Sequence, residues 1–425
     1  MTSPQAPGSP PKSPNAWAVI AIVAAFALAA AYLGSTGNRP PPPAPSTLSA
    51  PLATPTALPG DAKPANTTFM WDEEEDGPER TFNVDGLVLT LSARLTADGR
   101  APLIKVTGPK QQIVELVGET RPGAAYAEIG VGELDPASPH SQVLFTSFSG
   151  GAHCCAVIQV LDYLGGEWKS IEVAVQDGDR LGAFPNDLDG DGQREFELTD
   201  GRFLYAFESY AGSRAPSLIK ALENGVLRDV SKEKRFRPTY EAYMTQVEPE
   251  CLQRSNGPCA AFVAAAARAG KFETAWKTML ASYDAASDWT FPTACRVAAG
   301  DSGCPPGQEI AFASFPESLR WFLGDAGYLP AVYIPGADES GPSFDCKRVT
   351  GEVPLLICAT PELAAADRQL AWLYWRALAR STKPEALQIG ERNFLEVRDS
   401  SPPDVFTLLR LYQARIATLA DALGE

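Results

Sequence analysis

Asp187-Leu-Asp-Gly-Asp-Gly-Gln-Arg-Glu195 is the stretch whose reading decides the fold around it. Asp187, Asp189 and Asp191 stand at alternate positions, so their carboxylates converge only if the backbone coils around a cation, and Gly192 supplies the turn that coiling needs. Gln193 would offer its backbone carbonyl and Glu195 would close the shell, since calcium takes about six to eight oxygens. An EF-hand flanks its loop with helices and needs a bidentate Glu at the twelfth position, where this chain has Leu198. The loop is therefore expected between strands, with calcium as a structural cation and a solvated acidic turn as the alternative.

Working outward, the chain from residue 67 to about 229 reads as strands. Apolar and β-branched runs at 87–91, 112–117, 143–147, 156–161, 170–175 and 203–207 are separated by Gly, Asp and Pro clusters, which predicts a sandwich or a propeller-like sheet. An acid at the ninth position between apolar segments resembles the calcium loops of FG-GAP and VCBS repeats, and that resemblance implies a cation that holds the fold together. Charge is concentrated in the same region: residues 67–200 carry 24 acids and 9 bases, a net of −15, while the whole chain has 52 acids and 36 bases, a net of −16. Such a domain attracts cations and basic proteins. Nucleic-acid binding is excluded, because it needs clustered Lys and Arg to displace counterions.

N-terminal to this region, residues 16–33 are an unbroken apolar run of 18, a helix of about 27 Å that suffices for a bilayer core. Trp17 and Tyr32 stand near its ends, where amphipathic rings favour the interface. A polar leader (1–15) precedes the run, which favours an uncleaved single-pass anchor over a signal peptide, and a Pro-rich linker (34–66) follows as a spacer. The organisation expected is a multidomain α+β chain. An acidic β-rich domain occupies 67–235, a helical domain 236–334, a linker 335–342 and a helical bundle 343–425. Within the helical domain, Ser314 and Glu317 have capping-box spacing.

Eight cysteines fall in close pairs: Cys154 and Cys155, Cys251 and Cys259, Cys295 and Cys304, Cys346 and Cys358. With no CxxC motif and only His140 and His153 in the chain, local disulfides are favoured over zinc, and an oxidising compartment follows. Connectivity cannot be read from spacing alone, so neighbour pairing is an expectation. The stretch Ser149-Gly-Gly-Ala-His-Cys-Cys155 leaves three readings open: a disulfide, a soft-metal or redox site including His153, or inert thiols.

The last segment contains Ser343-Phe-Asp-Cys-Lys, then Cys358-Ala-Thr-Pro-Glu-Leu, Tyr374, and later Phe394, Arg398, Tyr412, Arg415 and Ile416. These residues resemble the LprI-like lysozyme inhibitor family, with Phe394 in a Trp position and without the family's second cysteine pair. The resemblance implies an envelope interaction module with a basic extracytoplasmic protein, lysozyme included, as partner. Acidic pairs suited to glycosidase work are numerous but none is marked out. The resulting expectation is a non-enzymatic envelope binding protein in the inner membrane, its bulk in the periplasm; a glycan-processing or glycan-binding module is the alternative.

Overall fold

Leu87, Leu89 and Leu91 are buried, while Val88 is exposed and Thr90 and Ser92 are half-buried between them, the two-residue period of a strand with one face on a core. The computed structural model describes residues 61–425 apart from 153, 179, 299–302, 337 and 338, and it carries this pattern through a stack of sheets. The chain runs β1 (Asp61–Ala62), β2 (Thr67–Asp72), α1 (Glu73–Asp76), β3 (Glu79–Val84), β4 (Leu87–Leu95), β5 (Arg100–Thr107), β6 (Ile113–Val117), β7 (Tyr126–Gly132), β8 (Gln142–Phe148), β9 (Cys154–Leu164), β10 (Glu167–Asp177), β11 (Glu195–Thr199), β12 (Ser217–Glu223) and β13 (Val226–Asp229). Then follow α2 (Arg237–Cys251), α3 (Asn256–Ala269), α4 (Phe272–Ser282), β14 (Ala294–Cys295), β15 (Glu309–Ile310), α5 (Phe315–Asp325), α6 (Glu352–Ala359), α7 (Pro361–Arg380), α8 (Pro384–Ser400) and α9 (Val405–Leu423).

Two five-stranded sheets, ordered β1-β3-β4-β5-β6 and β10-β9-β8-β7-β2, face each other. Phe82, Leu89, Ile104 and Val106 of the first meet Trp71, Ile129, Val143 and Phe145 of the second in one core. The second sheet is covered on its far side too. There Leu144, Ile158, Val160 and Val173 pack on Phe196, Leu198 and Leu222 of a three-stranded sheet, β11-β12-β13. The far face of that third sheet presents Ile219 and Ala221 to Phe236, to Tyr240 of α2, and to Ala265 and Ala269 of α3. Strands buried on both faces read as near-continuous apolar runs, which is why 143–145 lacks clean alternation.

Small side chains let α3 sit deepest among the helices: Ala260, Ala261, Ala264, Ala265 and Ala266 are all fully buried. Around it α2, α4 and α5 share a core that also takes in Trp375 and Ala379 of α7, and the Trp276 indole donates to the Ala379 carbonyl at 3.1 Å. The helices α6 to α9 enclose their own core of Leu363, Leu370, Phe394, Leu408, Tyr412 and Leu419. The described residues from 61 to 425 belong to one compact unit.

The α+β expectation holds, and of the two β arrangements the stack is of the sandwich kind. Segment 203–207 is not a strand. Asp200 caps a short 3-10 turn at Gly201–Phe203, Tyr205 takes a left-handed φ of 60°, and Phe203 and Phe207 are anchored in the helical core. Ser314 does stand at the start of α5, yet its hydroxyl makes no capping bond, and Glu317 pairs instead with Arg376 of α7. Among the described residues no helix is long and apolar enough to cross a membrane, and the expected anchor at 16–33 lies outside the described residues.

Candidate metal centre

The loop 187–195 connects the end of an irregular segment to β11, at the place where the second and third sheets share a core. Its approach is fixed by residues with no local sequence signature. Glu128 of β7 is buried and accepts the amides of Leu181 at 2.8 Å and Gly182 at 3.1 Å. Phe184 then lies over Gly130 and Gly132 of the same strand; a Cβ on either glycine would stand 2.7 Å from its ring, so only glycine leaves the slot open.

Asn186 and Glu195 form an isolated antiparallel bridge, with the Glu195 amide donating to the Asn186 carbonyl at 2.8 Å, and this closes the loop at its neck. Inside it, Asp187 accepts amides from Gly190 at 2.7 Å, Gly192 at 2.9 Å and Asp191 at 3.1 Å. Gly190 and Gly192 take φ of 82° and 95°, a region that other residues enter only at a cost. Desolvation opposes ionisation of Asp187, but the amides of Gly192, Gly190, Asp191 and Asp189 outweigh it and hold the carboxyl below its ordinary value.

Carboxylate oxygens of Asp187, Asp189 and Glu195 lie within 4.8 Å of one another. Glu195 is 1 % exposed; its Oε2 accepts the Leu188 amide at 2.9 Å, while its Oε1 is buried without a hydrogen-bond partner. Desolvation, reinforced by Asp189 and Asp191, pushes the Glu195 carboxyl above its ordinary value against the pull of the Leu188 amide and Arg235. A cavity of about 220 Å³, lined in part by Phe184, Asn186, Leu188 and Glu195, opens beside the cluster.

The four carboxylates expected to bind metal therefore divide. Asp187, Asp189 and Glu195 converge. Asp191 turns to Arg235, whose Nη1 lies 2.6 Å from Asp191 Oδ2 and 3.0 Å from Asp189 Oδ2. The Gln193 side chain donates to the Leu222 carbonyl at 2.9 Å, a bond that does not engage the backbone carbonyl expected at the cation. Arg235 was invisible to sequence reasoning, since it lies 44 residues beyond Asp191.

Three of the four close cysteine pairs are bonded as neighbours: Cys251–Cys259, Cys295–Cys304 and Cys346–Cys358. Cys155 is disulfide-bonded as well, which sets aside a thiolate ligand there, and His153 lies outside the described residues.

Comparison with known proteins adds a family. The model of the sll0997 C-terminal domain matches residues 236–327, the stretch from α2 to just past α5. The chain is similar to the "Probable thylakoid lumen protein sll0997" of Synechocystis sp., 36% identical over 241 residues, which is 55% of this chain and 69% of that protein. It is also similar to the "Uncharacterized protein y4bJ" of Sinorhizobium fredii, 33% identical over 262 residues, 60% of this chain and 41% of that protein. No solved structure matches it.

These matches overturn the resemblance drawn from 343–425. The family model that matches the helical part of the chain, over residues 236–327, is that of the sll0997 C-terminal domain and not of the LprI-like lysozyme inhibitors. The physical reason is that the motif residues serve an ordinary helical core. Tyr412 donates to Asp367 at 2.9 Å, Arg398 donates to Tyr412 at 3.3 Å, and Arg415 pairs with Glu391 at 3.2 Å. A disulfide-closed bundle needs such residues whatever its ancestry. The likeness of the Asp187 loop to FG-GAP and VCBS loops falls with it, because local carboxylate spacing is set by the turn and says little about the sheet beyond.

Proposed function

The chain belongs to the sll0997 family, and from that premise we propose that it is a non-enzymatic binding protein of an extracytoplasmic compartment, tethered through residues 16–33, whose sheets are locked together by one calcium ion on Asp187, Asp189 and Glu195. The observation that carries the cation is the Glu195 Oε1, buried and without a partner beside two further carboxylates. A carboxylate so placed needs positive charge close by. Arg235, which also pairs with Glu233 at 2.8 Å, supplies at most one charge to a group of four acids (Asp187, Asp189, Asp191 and Glu195), which leaves at least three negative charges uncompensated. A divalent cation offsets most of that surplus, and the adjoining cavity leaves room for water to complete an oxygen shell.

Position explains why such a cation would be structural. Glu195 opens β11, and the next residues, Phe196 and Leu198, belong to the core between the second and third sheets. Holding Glu195 therefore holds the joint. The extracytoplasmic reading is supported by the disulfides, which persist in oxidising compartments. The name of the Synechocystis relative, a probable thylakoid lumen protein, points the same way.

The test is thermal unfolding of the full chain in millimolar calcium and in chelator, with terbium luminescence as a direct readout of the site. A cation at a hundred times its Kd stabilises by about 2.7 kcal/mol. A higher Tm in calcium, abolished by Glu195→Gln and Asp187→Asn, is the expected result. Identical melting in both buffers with no terbium signal would overturn the cation and the function built on it.

A further inference from the structure

A cavity of about 550 Å³ lies between α5, α7 and α8, and Arg320 is the one charged side chain in its wall with no carboxylate within ion-pair distance among the described residues. The others are matched within the protein: Asp367 and Asp399 face Arg398 at 3.7 and 2.7 Å, and Glu391 faces Arg415 at 3.2 Å. Arg320 instead lies over the Phe272 ring at 5.3 Å, and its Nη1 is buried without a hydrogen-bond partner. Desolvation lowers its guanidinium pKa, with Glu273 and Tyr374 pulling the other way. Trp375, in the same wall, keeps a buried Nε1 with no acceptor. Both groups are donors, so what the site lacks is an acceptor.

The remaining wall is apolar and aromatic, with Leu370, Tyr374, Leu378 and Leu395 prominent, and Leu395 is exposed. Its volume falls within the range of small-molecule sites, roughly 300–1,000 Å³. Such a chamber, with a single unanswered guanidinium, is complementary to a small ligand that is anionic at one end and apolar at the other. Arginine's planar fork matches a carboxylate in particular.

We propose that this cavity binds a small amphipathic monoanion, a carboxylate joined to an acyl or aryl body, with Arg320 as its counter-ion. The site is far in sequence from the acidic loop and does not depend on the cation there. It gives the helical half of the chain a binding role of its own.

The experiment is calorimetric titration of the full chain with octanoate, octanol and octylammonium, which share a chain and differ in head charge. Octanoate is expected to bind at least tenfold more tightly than either of the others. Arg320→Met, which keeps the apolar stem, should weaken octanoate at least tenfold and erase its advantage over octanol. Arg320→Lys should keep the preference for the anion, and Ala371→Phe, which fills the cavity from α7, should remove binding of all three. Should the Met variant fail to fold, the Lys and Phe variants carry the same decision. Absence of octanoate binding, equal binding of octylammonium, or undiminished octanoate affinity in Ala371→Phe would overturn the proposal.

Discussion

Glu317 has no exposed surface, and Arg376 lies 3.0 Å from it and Arg380 3.6 Å. Arg376 is itself nearly buried and also reaches Glu425 at 2.7 Å, so the group ties α5 to α7. Removing one member of a buried ion pair leaves the other charge stranded, at a cost of about 3–5 kcal/mol. Glu317→Ala should lose stability of that order in urea denaturation, far more than a helix cap is worth. In the loop, Asp191 is bound to Arg235 while Glu195 has an open oxygen, and this division gives a contrast between neighbours. Asp191→Asn is expected to retain a calcium-dependent rise in Tm that Glu195→Gln abolishes; equal loss in both would mean that Asp191 is a ligand too. The contiguous carboxylates were legible in the sequence because one turn brings them together. Arg235, Glu128 and Phe184 were not, because only the packing of distant strands places them there.

Among the elements, α9 begins at Asp404, whose carboxylate accepts the Thr407 amide at 2.8 Å. That amide, with the Thr407 hydroxyl, holds the carboxyl below its ordinary value of 3.8. Since the folded state lowers this pKa, the cap's contribution is complete above the unfolded value and disappears as pH falls through the folded one. The Tm of Asp404→Ala should therefore lie below that of the parent at pH 7, and the gap should close in strong acid. Helix α3 makes a different prediction. Its alanines are buried on opposite sides, Ala264 in the helical core and Ala265 against the third sheet, so no face has room for a larger side chain. Ala264→Leu should cost about 1–3 kcal/mol by overpacking, measurable as a shifted denaturation midpoint. The helices α7, α8 and α9 were readable because each has one wet face, whereas the short α6 was not among the expected elements. Strand β12 was missed because Lys220 interrupts its apolar run, and the structure places that amine on the Val173 carbonyl at 2.7 Å, at the margin of a core buried on both sides. The run at 203–207 misled for the opposite reason: its two phenylalanines serve a helical core, not a sheet.

At the scale of the whole molecule, order is imposed by shared faces. The second sheet is common to two cores, and the third shares one of these and adds another against the helices, so each layer is the neighbour's floor. Three of the disulfides lie C-terminal to the stacked strands and do no part of that stacking. They join cysteines 8, 9 and 12 residues apart: Cys251 at the end of α2 to Cys259 in α3, Cys295 in β14 to Cys304 ahead of β15, and Cys346 to Cys358 in α6. For a chain delivered into an oxidising compartment from its N-terminal side, each of these pairs is complete before the next has emerged. The correct partner is then also the first one met, and oxidative maturation proceeds without a reshuffling step. Refolding of the reduced, denatured chain in a glutathione buffer should accordingly restore these three bonds without an isomerase, as peptide mapping would show; a population trapped with bonds between the three pairs would contradict it.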